Sequence, residues 1–230
     1  MPIPAAPEER KPRRLIRDQA YDAIQKAILD GDLKPGEVLD DAELQRWLKI
    51  SRTPIRQALY ALTLEGLIET APQAHTRVVR PRPEQAVDYL QAIGVLVVGA
   101  TTLAYRVATP DDRAGLIEAV HVSVGHLEEH DGRAFVHTVA RYFASVNQLN
   151  PNLTLRRLVA QSAVALGYNL TVVVQSMDMP WEEIAAGYRE LARAWETGGS
   201  DAVERATKLV FRLDEDALEH PLIIGPPTGA

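Results

Sequence analysis

Ile50-Ser51-Arg52-Thr53-Pro54-Ile55-Arg56-Gln57-Ala58-Leu59 decides how the N-terminal part of this chain is read. A hydroxyl pair followed by proline is a helix start, because serine and threonine cap free amides and proline fits the first turn. Beyond it, Ile55, Ala58, Leu59 and Leu62 recur at helical spacing and predict one buried face. The opposite face carries Arg52 and Arg56, one turn apart at the helix N-terminus. Two forked cations at the positive end of a helix suit phosphates and the acceptor edges of bases.

Working outward, Ala20, Ile24, Ala27 and Ile28 predict a first helix over residues 15–30, ended by Gly31. Lys34-Pro35-Gly36 reads as a turn. Asp40 or Asp41 caps a short second helix reaching Leu48, with Leu44, Trp47 and Leu48 on one side and Trp47 in the core. The turn from Lys49 to Ser51 makes helices two and three a helix-turn-helix. Gly66 closes the third helix, and strand-like runs at 67–70 and 77–80 predict a hairpin wing with its tip at 71–76.

Pro81-Arg82-Pro83 supports neither helix nor strand and marks a linker. After it the pattern is helical, with segments at 84–107, 110–129, 131–148, 151–175, 180–197 and 200–219, and with Thr109 and Ser200 as N-caps. The predicted fold is mainly α: an N-terminal winged helix-turn-helix domain with a small β-hairpin, then an all-α helical bundle. Its parts are a disordered basic arm at 1–12, the winged helix at 13–80, a linker at 81–84, the helical domain at 85–220 and a tail at 221–230.

Composition narrows the function. The 230 residues hold 46% hydrophobic and 24% charged side chains, an ordinary globular balance. Cysteine is absent, which removes disulfides, thiolate metal sites and cysteine nucleophiles. The net charge of −6 is uneven, with +2 in residues 1–83 and −8 beyond, so any polyanion partner belongs to the first part. The apolar run at 93–100 reaches 104 only by including two threonines, short of the roughly 20 residues of a membrane span. A cytoplasmic protein with no membrane partner is the expectation. No phosphate-binding glycine loop, His-Glu-x-x-His helix or Gly-x-Ser-x-Gly elbow is present, so no enzyme and no catalytic residue is predicted.

The stretch Leu33-Lys34-Pro35-Gly36-Glu37-Val38-Leu39, the pair Glu43-Leu44, the segment quoted first, and Leu64-Glu65-Gly66-Leu67-Ile68 together resemble the winged-helix domain of GntR-family bacterial transcription regulators. Ala104-Tyr105-Arg106-Val107-Ala108-Thr109-Pro110-Asp111-Asp112 and Gly198-Gly199-Ser200-Asp201-Ala202 are similar to the FCD-type helical domain of the FadR subfamily. The resemblance implies a homodimer on a palindromic double-stranded operator, acting as a repressor, with a small-molecule effector in the helical domain. It implies DNA contacts from Ser51, Arg52, Thr53, Arg56 and Gln57, and from His75, Thr76 and Arg77 of the wing. The tip lacks the family's usual glycine near 74 or 75, and Gln57 replaces a more common glutamate.

Many FCD domains bind a divalent metal through an aspartate, a histidine one turn later and two further histidines. Here His137 follows Arg133 by four residues, and the later ligand positions fall on Tyr188 and Arg212. No metal or other cofactor is therefore expected. His126 and His130, spaced to share a helix face with His121 nearby, read as a solvated surface. An effector pocket using His137, Asn147, Tyr188 and Arg212 is one expectation, and a helical domain that only dimerises is the other. The uncharged run Ala92-Ile93-Gly94-Val95-Leu96-Val97-Val98-Gly99-Ala100 suits a dimer contact or an apolar pocket wall, and favours an effector less acidic than the family's carboxylates. An enzyme with an appended DNA-binding domain and an architectural DNA binder without an effector are the remaining alternatives.

Overall fold

A computed structural model of the chain describes residues 16–70, 76–176 and 178–214. They form two compact units that divide between Arg80 and Pro81. The expected arm, residues 71–75 of the expected wing tip, and the tail lie outside the described residues.

In the first unit, α1 (Ile16–Asp30) buries the expected stripe of Ala20, Ile24, Ala27 and Ile28 and packs on α3 (Arg52–Leu64). Between them, α2 (Asp41–Leu48) is capped by Asp40, whose carboxylate accepts the amides of Ala42 and Glu43. Lys49 turns the chain in a left-handed conformation, at φ 56°, and returns its amide to the Gln45 carbonyl. Ser51 occupies the N-cap position of α3 but makes no side-chain capping bond. At the other end Gly66 takes φ +78°, where the amides of Leu67 and Gly66 reach the carbonyls of Leu62 and Thr63. This Schellman closure satisfies the last turn.

Trp47 differs from expectation, being 50% exposed. A two-turn helix buries a narrow stripe, here filled by Leu44, and Trp47 falls beyond its edge. The wing pairs β1 (Ile68–Thr70) antiparallel to β2 (Thr76–Val78) in the register Ile68 with Val78, Glu69 with Arg77 and Thr70 with Thr76. Thr76 is thus a strand residue. Its carbonyl accepts the Leu39 amide and Val38 bridges Arg77, so the segment after Gly36 fixes where the second strand begins.

The second unit opens with a 3₁₀ turn, Pro83–Gln85, followed by α4 (Ala86–Val107), α5 (Pro110–Glu128), α6 (Gly132–Leu149), α7 (Leu153–Ser176), α8 (Trp181–Thr197) and α9 (Ser200–Val210). α5 lies against α6 and α8, and α4 against α6, α7 and α9. By length and composition α4 and α7 are each apolar enough to cross a membrane, and they pack on one another. The core gathers Leu116, Val120, Leu127, Tyr142, Val146, Leu191, Trp195 and Val203. Within it the Trp195 indole donates to the Tyr142 hydroxyl at 2.7 Å.

Local chemistry sets the helix limits. Thr109 and Asp112 form a reciprocal capping box on α5, with Pro110 in the first turn. For α9 the N-cap is Gly199, not Ser200, because the extended Gly199 backbone already offers its carbonyl to Ala202 and Val203. α9 stops at Val210, where Arg212 at φ 56° closes a second Schellman turn. His130 does the same after α5, so it leaves the helix and shares no face with His126. The β-branched run at 170–174 is helical, within the segment expected as a helix over 151–175.

Gly94 lets α4 meet the chain beyond α9, since a β-carbon there would sit 2.5 Å from Phe211 Cβ. Alanine favours helices by about 1 kcal/mol over glycine, yet overpacking of this kind costs about 1–3 kcal/mol. Gly94→Ala is expected to lower the urea midpoint of the helical unit; a raised midpoint would show that the contact yields to an added methyl at little cost.

Candidate DNA interface and the cavity of the helical unit

Burial of Ile55, Ala58, Leu59 and Leu62 turns the rest of α3 outward. Ser51, Arg52, Thr53, Arg56 and Gln57 are all exposed, as is Tyr60, one turn beyond Arg56. Sequence reasoning missed Tyr60, although extending the Arg52-Arg56 spacing by four residues reaches it. Asp41, on the preceding helix, accepts Arg52 Nε at 2.9 Å and lies 3.8 Å from Arg56 Nε through the same oxygen. No short-range pattern announces that contact, because the partners lie on different helices.

The wing contributes differently. Arg77 is exposed, and its Nε donates to Glu69 across the strand pair at 2.7 Å. Thr76 is half-buried in the ladder, and His75 lies outside the described residues. A polar clasp also ties the end of α3 to α1: the Tyr21 hydroxyl donates to Glu65 at 2.6 Å and accepts from Gln25. Burial, then the Glu65 carboxylate, push the Tyr21 phenol well above its ordinary pKa, so it stays a donor.

The helical unit holds a partly open cavity of about 460 Å³, within the usual range for small-molecule pockets. Leu90, Val136, Val139, Val173, Val174 and Ile184 are among its walls. Tyr188 and Arg212 also line it; His137 and Asn147 do not. His137 is exposed on α6, and Asn147 donates to the Arg156 carbonyl at 2.9 Å. Tyr188 packs edge-on against Phe135, and its hydroxyl has no hydrogen-bond partner among the described residues. Burial, reinforced by Tyr142, drives its pKa far upward. Arg212 pairs with Glu183 at 2.5 Å.

Among the described residues no three histidine, aspartate or glutamate side chains converge as a metal site. His121 pairs with Glu196, His126 lies near Glu129, and His130 stacks on Trp181.

Residues 16–78 match the family model of the bacterial regulatory proteins of the gntR family. A relative from Paenarthrobacter nicotinovorans, named "Probable D-xylose utilization operon transcriptional repressor", is 26% identical over 204 residues, which span 87% of this chain and 88% of that protein. The solved structure of E. coli McbR/YncC shares the fold with a TM-score of 0.67 at 20% identity, covering 89% of this chain and 97% of that one. A GntR transcriptional regulator from Rhodococcus sp. RHA1 gives 0.64 at 18% identity, covering 87% and 94%. The fold and the match define residues 16–78 as a winged-helix domain of the gntR type, followed by a helical unit. The relatives that the chain matches are named as transcription regulators.

Removing the clasp tests how α3 is held. Tyr21→Phe is expected to destabilise the winged unit by about 1.5–3 kcal/mol, the range for a hydrogen bond to a charged group. Chemical denaturation followed by circular dichroism measures it, and an unchanged midpoint would show that apolar packing alone fixes the helix.

Proposed function

We propose that the chain is a repressor that binds a palindromic operator as a homodimer and responds to a small molecule held in its helical domain. The observation that carries the DNA reading is the outward row of Arg52, Arg56 and their neighbours on the second helix of a GntR-matched helix-turn-helix. Arginine presents paired donors that match guanine O6 and N7, and Ser51, Thr53 and Gln57 supply hydroxyl and amide donors beside them. Thr76, Arg77 and His75 are assigned to the flanking groove or backbone. Repression is supported by the name of the Paenarthrobacter relative, and a cytoplasmic location follows from operator binding.

Dimerisation through an FCD-type helical unit is supported by apolar side chains left in solvent on two neighbouring helices. Val95 of α4 is 65% exposed, and Leu153 and Leu158 of α7 are also exposed. A second copy would cover such a face. The cavity favours an effector over a purely dimerising domain. Its walls are largely aliphatic, Arg212 is already neutralised by Glu183, and Tyr188 offers a donor, so a mostly apolar, uncharged molecule with one acceptor group fits best.

Selection of duplexes from a random DNA pool tests the first part. A two-fold symmetric motif is expected, and Arg52→Ala and Arg56→Ala should each weaken binding to it by about 1–3 kcal/mol at fixed salt. Undiminished binding by both variants would remove α3 as the reader. For the second part, a thermal-shift screen should favour neutral apolar compounds over carboxylates. Val139→Trp, which fills the cavity, should abolish the shift; persistence of the shift would place the ligand elsewhere.

A further inference from the structure

Two consecutive aspartates begin α2, and they do different things. Asp40 Oδ1 accepts both the Ala42 and Glu43 amides, at 2.8 and 2.9 Å, so the cap is complete without its neighbour. Asp41 occupies the first helical position and turns its carboxylate to α3. There a single oxygen receives Arg52 Nε at 2.9 Å and sits 3.8 Å from Arg56 Nε. The Asp41 side chain is 26% exposed, whereas Arg52 and Arg56 are 62% and 67% exposed. A largely covered anion therefore lies beneath two projecting cations.

The atom that Asp41 holds matters. A guanidinium has five N–H donors in a rigid fork, and engagement at Nε leaves the terminal nitrogens to project. Among the described residues neither arginine makes a hydrogen bond through those nitrogens. The terminal pair is the edge that meets guanine O6 and N7 together. A tethered arginine also loses less conformational freedom on docking than a free one. Charge acts in the same direction. A phosphate attracts a cation from any angle and feels the nearby carboxylate as repulsion, whereas a base edge rewards the orientation that the carboxylate imposes.

We infer that Asp41 is a positioning residue for sequence readout, orienting Arg52 and biasing Arg56 toward base edges while weakening indiscriminate attraction to phosphate. This rests on the reading that these arginines contact operator DNA.

The test uses the full chain and two variants, Asp41→Asn, which keeps an acceptor oxygen without charge, and Asp41→Ala, which removes both. A duplex enriched from a random pool by the unmodified protein and a scrambled duplex of equal composition are the probes, titrated over a series of salt concentrations. The ratio of selected to scrambled affinity should fall about tenfold in Asp41→Ala and less in Asp41→Asn. Scrambled affinity should stay level or rise, with its log–log salt dependence steepening by about 0.9 as a released arginine takes a phosphate. Melting temperatures should stay near that of the unmodified protein because Asp40 keeps the cap. An unchanged ratio overturns the proposal. So does an equal loss on both duplexes, which marks a scaffold role, and Asp41→Asn separates these outcomes even where Asp41→Ala folds poorly. If the unmodified protein enriches no sequence, base reading itself fails and the proposal falls with it. Enrichment followed by an unchanged ratio defeats the proposal alone.

Discussion

Packing of α3 on α1 is the interaction on which the exposed face of α3 depends. Ile55, Ala58, Leu59 and Leu62 are buried in the same small core as Ala20, Ile24, Ala27 and Ile28. Once one stripe of a helix is committed to a core, the 3.6-residue period leaves no freedom over what faces out. Arg52, Arg56 and Tyr60 project, with Thr53 and Gln57 beside them, because they lie away from that stripe. The Tyr21–Glu65 clasp and the Schellman turn at Gly66 then fix the far end of the helix. The near end remains lightly held: Ser51 makes no capping bond, leaving amides of the first turn open to a partner.

The helical unit follows a related constraint on a larger scale. Its helices approach closely where side chains vanish, as at Gly94 against Phe211 and at Gly198 against Ala202. Elsewhere large residues interlock, with Tyr142 taking the Trp195 hydrogen bond deep in the core. The cavity opens among α4, α6, α7, α8 and α9, where aliphatic side chains face one another without filling the space. A space so lined is suited to shape and dispersion rather than to charge.

Much of this was legible in the sequence because it is local. Most helix spans, the N-cap at Thr109 and the closing Gly66 follow from periodicity and backbone chemistry within a few residues, whereas the last helix, expected over 200–219, ends at Val210 and is capped by Gly199. The misreadings arise where a local rule met a neighbouring element. Trp47 looked like core until α2 proved too short to bury it, and His130 looked helical until the chain turned left-handed beneath it. The outward face of α3 could be read from one helix alone. Asp41 could not, since its relation to Arg52 exists only after two helices pack. The cavity is similar. Tyr188 and Arg212 reach its walls while His137 faces solvent, a distinction set by the rotation of α6 in the bundle.

Arg212 combines two roles that are usually separate. It lines the cavity through a charged side chain, and it also supplies the left-handed residue that stops α9. Glycine is the unstrained choice at such a stop, whereas a residue with a β-carbon carries a penalty of about 1–2 kcal/mol. That penalty is offset by the Glu183 pair and by Gln91, which donates to the Arg212 carbonyl at 2.8 Å. This wall of the cavity is thus held by polar contacts acting against a backbone preference, in contrast to the close-packed aliphatic walls. Cavity lining and helix end meet in a single residue, so a substitution of Arg212 acts on both at once.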